Sequence, residues 1–213
     1  MNTKLVVFDV DGVILDTDRG STKDILVQLG KAQEVEALHQ EYLRRRSSGP
    51  WGLEEIMMLF RGYSREELMR LARTYCASNL MEGASDTIQE LKRRSYIVGS
   101  ITSAVEFVSQ ALSELLPLDW IEATTVGWNE GVCIGEIERK VDRYTKREIL
   151  ENYMRENRIS KQDVVIIGDS ITDVPVSECA REVIAFNASD SPIIERADIH
   201  ITKKNLTHLL SYL

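Results

Sequence analysis

The stretch that most constrains this chain is a short run, Leu5-Val6-Val7-Phe8, that is apolar at every position and ends in Asp9-Val10-Asp11-Gly12. Consecutive rather than alternate apolar residues require cover on both faces, as in a central strand of a parallel sheet. In open α/β sheets, ligands bind at the carboxyl ends of the strands, which is where the two aspartates fall. Residues two apart on an extended segment point the same way, so Asp9 and Asp11 can converge on one reacting group. A solvated acidic turn would leave the same local pattern, so the other strand ends decide the matter.

The pattern recurs. Val164-Val165-Ile166-Ile167 reads as a second buried strand, ending in Gly168-Asp169-Ser170-Ile171-Thr172-Asp173. Residues 96–101 read as another, ending in Thr102-Ser103, and residues 183–186 and 199–201 add two more, each followed by a helix. Helical periodicity covers residues 84–94, with Ile88 and Leu91 apolar. It returns after Ser103, with Phe107, Val108, Ala111, Leu112, Leu115 and Leu116 inward and a stop before Pro117. Residues 145–157 carry the stripe Ile149, Leu150, Tyr153 and Met154, and residues 121–137, turning at Asn129-Glu130-Gly131, read as a hairpin or short strands. Alternating strands and helices specify an α/β fold, a doubly wound parallel sheet with right-handed crossovers.

Between the first strand and this alternation lies a block without a convincing strand. Helices are expected over residues 21–29 (Ile25, Leu26, Leu29 on one face), 32–46 (Val35, Leu38, Tyr42 inward), 53–60 and 64–80. Ser47-Ser48-Gly49-Pro50 breaks the second, and Ser64-Arg65-Glu66-Glu67 is a capping-box pattern that starts the last. The expected organisation is a core of residues 1–15 and 82–213 interrupted by a helical domain over 16–81. Across 213 residues, 43% hydrophobic and 28% charged composition suits a soluble globular protein. A net charge of −8 argues against general nucleic-acid binding. No apolar run reaches membrane-spanning length and no signal-peptide pattern opens the sequence, so a cytoplasmic protein without membrane partners is expected. Cys76, Cys133 and Cys179 are scattered, as reduced thiols would be, and no His pair suggests zinc.

In a parallel sheet the ends carrying Asp9 and Asp11, Thr102 and Ser103, and Asp169 and Asp173 share one edge. Crowded carboxylates repel and call for a cation, and oxygen ligands alone favour Mg²⁺, whose charge in turn suits a phosphate. An EF-hand would place Gly sixth and Glu twelfth from Asp9, where Ile14 and Gly20 stand. The Asp-x-Asp of a sugar-nucleotide transferase does not predict Gly168-Asp169-x-x-x-Asp173. A phosphoacceptor signalling domain, the non-enzyme alternative, would order its acidic strand ends, Thr and Lys differently on a much shorter chain.

Asp9-Val10-Asp11-Gly12-Val13, Ser100-Ile101-Thr102-Ser103, a following Lys and Gly168-Asp169-Ser170-Ile171-Thr172-Asp173 together resemble motifs I to IV of the haloacid-dehalogenase-superfamily phosphatases. The resemblance covers the core on both sides of the helical block, which would be the family's cap. It implies a Rossmann-like core and Mg²⁺-dependent hydrolysis of a small phosphorylated metabolite through an aspartyl-phosphate. By position, Asp9 would be the nucleophile and Asp11 the general acid and base. Asp9, the backbone carbonyl of Asp11, and Asp169 would hold the metal, with Asp173 in or near that shell. Thr102 and the Ser103 N–H would hold phosphate oxygens, Ser103 also capping the next helix through Ser103-Ala104-Val105-Glu106. For the Lys, Lys146 shares the inward helical face of Ile149 and Leu150, whereas Lys140 sits in the charged run Glu138-Arg139-Lys140.

The strand-helix order, the hairpin before Lys146 and the tail Phe186-Asn187-Ala188 resemble the phosphoserine-phosphatase branch. There an acidic residue nine after the nucleophile meets the substrate amine, and Asp18 holds that place. Ser170 and Thr172 depart from the Gly and Asn usual in that branch, and its carboxylate-binding cap Arg has no clear counterpart, Arg61 being either a candidate or, as the better reading, a surface Arg. Phosphoglycolate or another small ester is the alternative substrate. Met57, Met58 and Phe60 stand either at the pocket or, as helical spacing suggests, in the core.

Overall fold

The computed structural model describes residues 4–45 and 52–213, so the break expected at residues 47–50 lies outside the described residues. A seven-stranded sheet runs in the order β4-β3-β2-β1-β5-β6-β7. Its strands are β1 (Leu5–Phe8), β2 (Ile97–Val105), β3 (Trp120–Asn129), β4 (Val132–Arg139), β5 (Val164–Gly168), β6 (Glu182–Phe186) and β7 (Ile199–Ile201). All neighbours pair in parallel except β3 and β4, which form the antiparallel hairpin at one edge. Its two-residue turn, Glu130-Gly131, has φ of 48° and 79°, the positive pair that a tight hairpin needs.

The apolar run of β1 is covered on both sides. Val6 and Phe8 belong to one hydrophobic cluster and Leu5 and Val7 to the other. The first side carries α4 (Arg65–Ser78), α5 (Ala84–Arg93) and α6 (Glu106–Leu115); the second carries α7 (Lys146–Asn157), α8 (Val174–Ser177) and α9 (Ser191–Arg196). Among the described residues, no helix is long and apolar enough to cross a membrane.

The helical insertion contains α1 (Ser21–Gln28), α2 (Ala32–Arg45), α3 (Leu53–Met58) and α4. Ile25, Leu26 and Val35 are buried, and Leu38 and Tyr42 are half-buried. Ser64 caps α4 by accepting from the Glu67 N–H at 3.2 Å, as the capping pattern predicts. Several contacts fasten the insertion to the core. Its entry and exit strands are bonded to each other, Met81 N–H to Ile14 O and Asp16 N–H to Asn79 O, both at 2.9 Å. The segment before α4 bonds to the hairpin, Gly62 N–H donating to Cys133 O and Cys133 N–H to Tyr63 O at 2.9 Å each. Phe60, fully buried, meets Phe107 of α6 edge to face with ring centroids 5.0 Å apart.

Three expectations are corrected here. Helix α3 ends at Met58 rather than at residue 60, and Met58 is exposed, whereas Met57 and Phe60 are buried in the core as their spacing suggests. Leu115, read as inward, is 41% exposed because it stands at the last turn of α6, beyond the sheet. Strand β2 continues to Val105, so α6 starts at Glu106 with Val105 as its cap residue, and the expected Ser103 capping box does not form. Glu106 instead accepts from Trp128 Nε1 at 2.7 Å. Phe60→Ala is expected to cost about 3–5 kcal/mol in a urea melt, as a fully buried aromatic with a ring partner would. A loss within the error of the melt would contradict the packing of the insertion on α6.

Candidate active site

Register brings the strand ends level. Phe8 pairs with Ser100 on one side and Ile167 on the other, and Asp9 N–H donates to Ile167 O at 2.9 Å. Asp9 therefore stands in the middle of the carboxyl edge. Asp9 Oδ1 accepts from Val10 N–H at 2.8 Å and lies 3.1 Å from Lys146 Nζ, leaving Oδ2 free of those two contacts. Lys146 opens α7, is 1% exposed, and also donates to Asp173 Oδ1 at 2.8 Å. Lys140 sits just past β4, paired with Glu54 at 2.7 Å and Asp142 at 3.5 Å, away from this cluster. The inward face of α7 is what separates the two lysines.

Carboxylate oxygens of Asp9, Asp169 and Asp173 lie within 4.8 Å of one another. Burial pushes the Asp9 carboxyl up to about 7; the neighbouring Asp173 adds to this and Lys146 opposes it. Asp169 is raised well above its ordinary value, again by burial first and then by Asp9 and Asp173. Burial alone would discharge Lys146, but the carboxylates of Asp173 and Asp9 outweigh it and hold the ammonium charged. One lysine among three carboxylates leaves an acidic surplus in a low-dielectric setting, and all-oxygen donors so spaced fit one hard divalent cation.

Asp173 is committed on both oxygens: Oδ1 to Lys146, Oδ2 to the N–H groups of Asp169 (3.2 Å) and Ser170 (3.4 Å). Ser170 and Asp173 form a capping box around the short turn Ile171–Asp173. The sequence expectation treated Ser170 only as a departure from family pattern, whereas here it shapes the acidic loop. Asp11 is turned the other way, its Oδ1 accepting from the Ser21 N–H that opens α1 at 2.9 Å, so its side chain stands outside the acidic trio. Burial raises its carboxyl and the Ser21 N–H partly offsets this.

Thr102 is 1% exposed, and its Oγ1 accepts from Ala104 N–H at 3.1 Å. Ser103 and Ala104, not Thr102, border a cavity of about 320 Å³ at this edge. Asp9, Asp11, Asp169, Ser170 and Asp190 line its floor, and Asp18, Lys23, His39, Tyr42 and Ile56 rise around it from the insertion. Asp18 is exposed at the rim. Arg61 is exposed next to Gly135 and does not border the cavity. Asp190, not picked out from the sequence, accepts from Ile171 N–H at 3.0 Å and so ties the loop after β6 to the acidic loop after β5. The signal was available, because β6 ends on the same edge as the other three strands. Lys23, His39 and Tyr42 were also missed; they belong to helices whose apolar stripes drew the attention.

Gly12 has φ +83°, and a Cβ there would collide with the Asp169 carboxylate. Gly12→Ala is therefore expected to displace Asp169 and weaken divalent-cation binding at least ~10-fold by calorimetry, about 1.4 kcal/mol. Gly62→Ala, at φ +92° with open space around it, is expected to bind the cation as the wild type does. Equal effects at the two glycines would contradict the close approach of Gly12 to Asp169.

Residues 3–181 match the family model of haloacid dehalogenase-like hydrolases. The chain is 31% identical over 214 residues to the phosphoserine phosphatase of Wolinella succinogenes, covering 99% of this chain and 100% of that one. It is 28% identical over 212 residues to the phosphoserine phosphatase of Methanocaldococcus jannaschii, covering 99% and 97%. A solved phospho-aspartyl intermediate analogue of phosphoserine phosphatase superposes over all of both chains with a TM-score of 0.84 at 26% identity. On its sequence and on its fold, this chain belongs to the haloacid dehalogenase-like hydrolase family.

Proposed function

We propose that the chain is a Mg²⁺-dependent phosphatase of a small phosphorylated metabolite, with phosphoserine as the leading substrate. The observation that carries this reading is the place of Asp9: last out of the central strand, bonded to Val10 N–H and Lys146, at the floor of an acidic cavity. Its full-length likeness to phosphoserine phosphatases supports the substrate class. Three buried free cysteines fit a reducing cytoplasmic setting.

In this reading Asp9 attacks phosphorus through Oδ2 and forms an aspartyl-phosphate, while Lys146, bonded at Oδ1, offsets charge on the transferring group. Asp11 gives its proton to the departing alcohol. It later takes one from the water that cleaves the aspartyl-phosphate. Its raised pKa suits the first role and its Ser21 contact fixes its aim. Ser103 at the cavity wall would meet phosphate oxygens, with the buried Thr102 behind it supporting that wall through its contact to Ala104 N–H. Asp9, Asp169 and the Asp11 carbonyl would hold Mg²⁺. Asp173, committed to Lys146 and two N–H groups, acts as the support of that set. A bound Mg²⁺ would there offset charge on the phosphoryl oxygens. Asp18 at the rim faces an ammonium on the leaving group.

Asp9→Asn is expected to cost at least ~10³-fold in kcat on an aryl phosphate, since uncatalysed phosphate-monoester hydrolysis is exceptionally slow. Activity within tenfold of wild type would exclude Asp9 as nucleophile. Protons compete with the cation for a carboxyl pushed up to about 7, so cation affinity grows as pH rises through that value. The rise in Tm on adding Mg²⁺ is thus expected to be larger at pH 8 than at pH 6. A Tm indifferent to Mg²⁺ at both, or hydrolysis unchanged by a chelator, would contradict the metal assignment.

A further inference from the structure

Lys146 bridges Asp9 and Asp173 from the first residue of α7, in the turn where helical N–H groups have no partner inside the helix. Thr145, at the cap position, makes no side-chain bond to the helix. Asp142 supplies partners from three residues earlier. Its Oδ1 accepts from the Tyr144 N–H at 2.9 Å and the Thr145 N–H at 3.1 Å, and its carbonyl accepts from the Lys146 N–H at 3.0 Å. Thr145 Oγ1 answers by accepting from the Asp142 N–H at 2.9 Å. The turn is also pinned to the sheet. Thr124 Oγ1 of β3 accepts from the Val141 N–H at 3.1 Å and donates to the Val141 carbonyl at 3.2 Å. Asp142 is 7% exposed and Val141 is fully buried. The second oxygen of Asp142 lies 3.5 Å from Lys140, which also pairs with Glu54 of α3 at 2.7 Å.

A carboxylate is costly to bury, and this one is satisfied by two backbone N–H groups of the segment that leads into Lys146. Helix capping alone would explain such bonds if α7 only had to be stable. Its first side chain, however, is the cation held 3.1 Å from Asp9 and 2.8 Å from Asp173. A misplacement of ~1 Å at contacts of this kind can cost ~10²-fold in rate with every reacting group still present. We propose that Asp142 is a positioning residue: by clamping the turn before α7 it holds Lys146 against Asp9, and so sets the rate of phosphoryl transfer. The inference rests on the phosphatase reading and deepens it, since it names what supports the cation at the nucleophile. Asp142 does not border the cavity, so substrate binding is expected to be independent of it.

The test separates kcat from KM on an aryl phosphate, at a temperature well below the Tm of every variant. Asp142→Ala is expected to lower kcat and kcat/KM together by at least ~10-fold, with KM within ~3-fold of wild type, the pattern of an interaction made in the transition state. Asp142→Asn, whose amide oxygen can accept the same two N–H bonds, is expected to keep kcat within ~3-fold of wild type. Lys140→Met removes an exposed ion pair and leaves the turn intact, so it is expected to behave as Asp142→Asn does. Ser64→Ala, which removes the cap of α4, is the control for lost capping alone: Tm is expected to fall as in Asp142→Ala, with wild-type kcat. Wild-type kcat in Asp142→Ala would overturn the assignment, as would an equal loss of kcat in Asp142→Asn, Lys140→Met or Ser64→Ala. If Asp142→Ala does not fold, Thr145→Val, which removes the bond to the Asp142 N–H, carries the test. A fall in its kcat at constant KM upholds the assignment, and wild-type kcat overturns it. Failure of the phosphatase reading itself would look different, as absence of turnover on an aryl phosphate by the wild type.

Discussion

Everything at the catalytic edge depends on one buried cation. Lys146 bridges Asp9 and Asp173, one residue from each of two adjacent strand ends, with 1% of its surface exposed. Taking a charge out of water costs several kcal/mol, and only close opposite charges and hydrogen bonds repay it, so neither lysine nor carboxylates would be tolerable here alone. Removing one member of such a set typically costs ~3–5 kcal/mol because the others are left uncompensated. Burial first, and then the negative charge of their neighbours, holds Asp9 and Asp169 above their usual range. The set carries more negative than positive charge, and the proposed divalent cation would offset that surplus.

The backbone around this set is arranged to let the charges meet. Gly12, at positive φ, opens room for the Asp169 carboxylate, and Gly168 does the same for Asp173, whose Cβ would lie 2.6 Å from any side chain at that position. The insertion then builds the rest of the pocket. Its α4 is packed on α6 and the segment before it is bonded to the β3–β4 hairpin, while α1 aims its first N–H at Asp11. Thr22 of α1 also accepts from Val105 N–H at 3.2 Å, so the first helix of the insertion touches both catalytic strand ends.

What was legible in the sequence was whatever left a periodic or punctuated trace. The buried strands announced themselves through Leu5-Val6-Val7-Phe8 and Val164-Val165-Ile166-Ile167, and parallel order then placed Asp9, Ser103 and Asp169 on one edge. Lys146 was separable from Lys140 because it shares a helical face with Leu150. Less legible were contacts between elements with no common pattern. Ser103-Ala104-Val105-Glu106 fits a cap and so hides the full length of β2, whereas Glu106 is claimed by Trp128 of the neighbouring β3. The Lys23-His39-Tyr42 group depends on how two helices of the insertion lie against each other, which spacing along one segment does not encode.

The central claim is that Asp9 carries the phosphoryl group between the two half-reactions. Its most direct test is acid quenching of the wild-type enzyme during turnover of phosphoserine or an aryl phosphate, followed by peptide mass spectrometry. A phosphoryl adduct is expected on the peptide containing Asp9, assigned to Asp9 by fragmentation and absent from Asp9→Asn. An adduct on any other residue would contradict it.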